Sequence, residues 1–178
     1  KPRSGQLAYG PVWDFDRTLG CDNDGRAREP TGWNPSSGMS YFTYTWFGKM
    51  FKDPDFRQDY VDRYLELRRN IWSVRNTNGI VDNFAAQIRE GQARNWQKWG
   101  HSANGGTYST VGGGWEGEVS HLKGWIKARV EWMDKQFLSP PTFSTAEGEV
   151  AKGYRLGLSK TNGNTPIYYT TDGTDPRL

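Results

Sequence analysis

The chain has 178 residues, 23 of them Lys or Arg and 20 Asp or Glu, for a net charge of +3. That length suits one ordinary domain or a small domain with part of another, and the interspersed charges exclude a basic nucleic-acid tail. Nine Trp, nine Tyr and eight Phe call for a core built on large rings, and no apolar run reaches the roughly 18 residues of a transmembrane helix.

Residues 7–15 read as a β-strand broken at Pro11, and Gly10-Pro11-Val12-Trp13-Asp14-Phe15-Asp16 is its informative part. Side chains two apart on a strand point to one face, so Asp14 and Asp16 can converge on one cation while Val12, Trp13 and Phe15 anchor the strand. Hard oxygen donors on a rigid element suit Mg²⁺ or Mn²⁺. The same spacing also occurs in loops, where Asp caps nearby amides. Gly20 lets the chain turn away. Residues 20–40 are rich in Gly, Pro, Asn, Asp and Ser and read as a long loop carrying Trp33. Its acidic residues do not match a calcium-loop pattern. Cys21, the single cysteine, cannot form an internal disulfide or a cysteine zinc site, and Asp22 and Asp24 beside it disfavour a thiolate.

Four helices follow. The first is expected over Tyr41–Phe51, with Phe42, Trp46, Phe47 and Met50 on one side. The second has Asp53 as N-cap and Pro54 at the first helical position, then Phe56, Tyr60, Tyr64, Leu67 and Ile71 at helical spacing. Its Arg63, Arg68 and Arg69 share the helix with five acidic residues, which blunts any phosphate-seeking field. The third runs over about Ile80–Trp99, with Phe84, Ile88, Trp96 and Trp99 forming a stripe, and Gly100 closes it. Gly112-Gly113-Gly114 lacks the Lys-Ser/Thr and preceding strand of a phosphate loop and reads as a connector. The fourth, Trp115–Phe137, aligns Val119, Leu122, Ile126, Met133 and Phe137 before Pro140-Pro141 stops it. Aromatic stripes at this spacing read first as core. His101 and His121 lack partners at metal or triad spacing and take surface or helix-end roles by default.

After Pro141 the helical period ends. Glu149–Ser159 and Ile167–Thr171 read as strands joined by the Asn162-Gly163-Asn164 turn, and Thr171–Pro176 forms a second turn. The domain division is 1–138 and 139–178. The chain opens on Lys1-Pro2-Arg3 and closes on Asp175-Pro176-Arg177-Leu178 straight after a turn. Both ends are expected to be cuts within a longer protein.

Over about residues 7–138 the chain resembles the CotH family of kinase-like proteins, in their C-terminal half. The resemblance rests on Gly10–Gly20, Trp46-Phe47 with Met50-Phe51, Asp53-Pro54-Asp55-Phe56, Glu66-Leu67-Arg68, Ala93–Trp96 with Trp99, and Glu118-Val119, Leu122-Lys123, Trp125, Arg129 and Trp132-Met133-Asp134. It implies a mainly α fold: the helical C-lobe part of an atypical protein kinase, with a short strand or hairpin carrying the Asp-x-Asp. Ile167–Pro176 is similar to the Ig-like domain at the C-terminus of chitobiase and hexosaminidase proteins, which implies a truncated all-β Ig-like segment over 139–178.

The family resemblance implies ATP-dependent phosphorylation of protein Ser or Thr outside the cell or at its surface. Asp14 takes the metal-binding position, Asp16 is a second ligand or supports it, and Mg²⁺ or Mn²⁺ acts with ATP. The nucleotide-binding Lys, its partner Glu and the catalytic-loop Asp belong before the Asp14 strand, so no catalytic residue is expected within this chain and it alone is expected to be inactive. The alternative is a non-catalytic extracellular adhesion or glycan-binding module, with Trp33 as a contact for polysaccharide. Neither reading involves nucleic acid or a membrane span.

Overall fold

The computed structural model describes residues 18–20, 28–33, 45–99, 113–160, 166–174 and 176. The expected strand over 7–15, with Asp14 and Asp16, lies outside the described residues, as do Cys21, Gly100 and His101. The described structure is mainly helical, and the chain divides into two compact units, Lys1–Met133 and Asp134–Leu178.

In the first unit, α1 spans Thr45–Met50. A short turn leads to α2, Pro54–Arg69, whose start is set as its sequence dictates. Asp53 is extended, at φ −75° and ψ 119°, and its carboxylate accepts the Asp55 N–H at 3.0 Å. This satisfies one of the amide donors that a helix start leaves open, and Pro54 has no amide hydrogen to satisfy. Asp55 in the first turn and Arg68 and Arg69 in the last match the helix dipole. The Asn70 and Trp72 N–H groups both donate to the Leu67 carbonyl, at 3.1 and 2.8 Å, and end the helix. Ile71, expected on the apolar stripe, therefore falls past the end of α2 and is 54 % exposed.

Helix α3, Val74–Trp99, starts well before the expected Ile80. Ser73 initiates it: its carbonyl accepts the Thr77 N–H at 3.0 Å and its Oγ accepts the Asn76 N–H at 3.3 Å. The first turns run through Asn76-Thr77-Asn78-Gly79, all weak helix formers, so the cap marks the start where propensity does not. The α3 stripe is not core. No residue of this helix is buried, and Ile80, Phe84 and Ile88 are exposed.

Helix α4, Gly114–Asp134, stops short of the expected Phe137. It runs antiparallel to α3. Lys123 pairs with Asp82, and Arg89 pairs with Glu116 at 2.7 Å, so the partners step forward on α3 and backward on α4. The buried hydrophobic residues among those described are Tyr64, Val130 and Met133. This core lies where α2 meets the last turns of α4, and the Tyr64 hydroxyl donates to the Val130 carbonyl at 3.1 Å. A buried hydroxyl needs such a partner.

In the second unit, β1 (Thr142–Phe143) pairs antiparallel with β2 (Leu158–Ser159), with Thr142 opposite Ser159 and Phe143 opposite Leu158. The Ser144 N–H donates to the Gly157 carbonyl, and the Gly157 N–H to Ser144 Oγ, both at 2.9 Å. The expected strand over Glu149–Ser159 shrinks to its last two residues, and Ile167–Thr171 forms no ladder. Asp172 closes its turn by accepting the Thr174 N–H at 3.1 Å and hydroxyl at 2.7 Å, which lowers its pKa. Among the described residues no helix is long and apolar enough to cross a membrane.

Candidate functional site

The described chain begins two residues after Asp16, at a turn braced by α4. Leu19 and Gly20 are both left-handed, at φ 59° and 88°. A leucine in this region stores about 1 kcal/mol or more of strain, which packing around it must hold in place. Gly20 supplies the close approach. A Cβ built there would lie 2.9 Å from Trp125 Cδ1 and 3.0 Å from His121 Nε2. The turn that follows the Asp-x-Asp stretch is thus seated against one face of α4.

That face carries an ordered series of polar and aromatic groups. His121, assigned a surface or helix-end role above, lies mid-helix, and its Nε2 is buried against Gly20 with no hydrogen-bond partner among the described residues. Glu118 Oε1 and Trp115 Nε1, one and two turns earlier, are also buried atoms without a partner there.

Farther along α4 the partners are present. Trp125 Nε1 donates to the Arg28 carbonyl at 2.9 Å. Arg129 donates to the Pro30 carbonyl at 3.0 Å and to the Gly32 carbonyl. Its guanidinium stacks 5.3 Å from the Trp33 ring and 5.2 Å from the Trp132 ring, and the two rings meet edge to face at 4.9 Å. The planar fork of arginine serves both tasks at once, which lysine cannot do. Trp33 is therefore half-buried and engaged by α4. Glu29 accepts the Thr31 hydroxyl and, at 3.0 Å, its N–H. These bonds hold its carboxyl below the usual carboxylate range.

A second concave feature lies on α2. Phe47 from α1, Phe51 just past its end, Phe56, Tyr60, Tyr64 and Leu67 from α2, and Trp72 line an open cavity of about 460 Å³, with Asp59 and Arg63 also in its lining. Among the described residues no three His, Cys, Asp or Glu side chains are grouped to hold a metal.

The model of the CotH kinase protein family matches residues 1–133. The chain belongs to the CotH kinase family. No curated protein and no solved structure matches it. The match takes in the Asp14–Asp16 stretch, the braced turn and α1 to the penultimate residue of α4. It stops before residues 139–178, and the expected chitobiase-type Ig-like character of that segment gains no support from it. The CotH resemblance had already drawn attention to Glu118, Trp125, Arg129 and Trp132. Their common direction is what the sequence left unread, although their spacing on α4 repeats at three, four and seven residues, the period of one helix face.

Proposed function

We propose that this chain is the metal-binding strand and helical lobe of a CotH-like atypical protein kinase, which transfers the γ-phosphate of ATP to protein Ser or Thr outside the cell. The match over residues 1–133 carries this reading, because it includes Gly10–Gly20. Asp14 and Asp16 would hold Mg²⁺ or Mn²⁺, and two carboxylates are a suitable donor set for either ion. A divalent ion there neutralises charge on the phosphate oxygens. The contribution of the rest of the chain is rigidity. His121 and Trp125 brace the turn at Gly20, Arg129 ties the 28–33 loop to α4, and phosphoryl transfer depends chiefly on such positioning.

The adhesion reading relies on an open Trp33 ring. The contacts of Trp33 with Arg129 and Trp132 support a structural use of that ring instead. For residues 139–178 an Ig-like β segment is proposed, on the β1–β2 pairing and the Asp172 turn.

The test is Mg²⁺-dependent transfer of labelled phosphate from ATP to protein by the intact protein, compared with Asp14→Ala. Loss of about 100-fold or more in the variant, with an unchanged melting temperature in the absence of metal, is the expected result. Equal transfer by both proteins would remove the assignment.

A further inference from the structure

The aromatic cavity at α1 and α2 shares no lining residue with the α4 face and carries a charge pattern of its own. Phe51 sits edge to face with Phe56 at 5.1 Å and with Tyr60 at 5.2 Å, so three rings meet at one corner. Trp72, 40 % exposed, lies in the same lining. Two charged residues complete it, and they differ. Arg63 is neutralised by Glu66 at 2.5 Å. Asp59 is exposed and makes no ion pair or hydrogen bond among the described residues. The lining is therefore mostly aromatic, with one carboxylate at it that has no partner among the described residues.

We propose that this cavity binds an organic ammonium ion, quaternary or methylated, carried on a short apolar stem. Ring faces attract a cation through their quadrupole and tolerate its methyl groups, while a carboxylate adds a long-range attraction without requiring a hydrogen-bond donor. Anionic ligands are disfavoured by Asp59, and a neutral apolar ligand would leave it unused. The volume of about 460 Å³ admits the cationic head together with its stem.

The test uses the full chain, choline as cation, and 3,3-dimethyl-1-butanol as the neutral compound of the same shape. Binding is read by saturation-transfer NMR on the ligand methyl groups and by titration calorimetry. Choline is expected to bind saturably and at least about fivefold more tightly than the alcohol. Asp59→Asn, an exposed and nearly isosteric change, should weaken choline by about five- to tenfold and leave the alcohol unchanged. Tyr60→Leu should weaken choline while the circular dichroism spectrum stays as it was. Equal binding of the two compounds, no saturable binding of choline, or indifference of choline to Asp59→Asn would each overturn the proposal.

Discussion

Gly20 occupies a position that excludes a side chain on two independent grounds, its backbone angle and its distance from α4. At φ 88°, with Trp125 Cδ1 2.9 Å from the site of a Cβ, an added methyl group is strained and crowded together. Gly20→Ala should therefore destabilise the protein by about 1–3 kcal/mol, read as a lower urea midpoint at unchanged slope. An unchanged midpoint would mean that the turn is not seated on α4. The sequence indicated a glycine turn after the Asp-x-Asp, because backbone freedom is a property of the residue itself. It could not indicate His121 or Trp125 as the surface met there, since that contact spans about a hundred residues of chain. The two aspartates remain a reading of spacing and of family membership, because they lie outside the described residues.

Among the elements, the helix starts show what local chemistry can and cannot announce. Asp53-Pro54 is a strong start signal, and Asp53→Ala should cost about 1 kcal/mol while Asp53→Asn, which keeps the acceptor, should cost a few tenths at most. Thermal melts of the pair would separate the two, and equal losses would point away from the cap. The α3 start was missed because Ser73 stands before a run of poor helix formers, where the cap alone decides. Periodicity located most of the α2 and α4 stripes, though Ile71 and Phe137 fall past the helix ends, and it could not say which stripes are covered. Tyr64, 3 % exposed, and Phe84, 58 % exposed, sit on stripes that look alike in sequence. Tyr64→Ala should cost about 3–5 kcal/mol and Phe84→Ala less than about 1 kcal/mol. Similar losses in chemical denaturation would contradict the burial described for the two helices.

For the molecule as a whole, the two units differ in how much holds them. Among the described residues of Asp134–Leu178 none is buried, and the pairing of β1 with β2 involves two residues on each side. Amides such as that of Ser144 should therefore exchange with solvent about 100-fold faster or more than those beside Tyr64 in α2, as native-state hydrogen exchange can resolve. Matching rates would show a more cooperative unit than its ladder suggests. The strand pattern after Pro141 overestimated the sheet because alternation needs a covered face to become a ladder, and the described residues provide little cover. In the first unit the bonds that matter span great lengths of chain: Tyr64 to Val130, Trp125 to Arg28 and Arg129 to Pro30 are 66, 97 and 99 residues apart. All three converge on one short stretch of α4. At translation speeds of about 5–20 residues per second, Val130 follows Tyr64 off the ribosome by roughly 3–13 s. During that interval the Tyr64 hydroxyl lacks its acceptor, so the nascent protein passes through a window in which chaperone capture competes with its own completion.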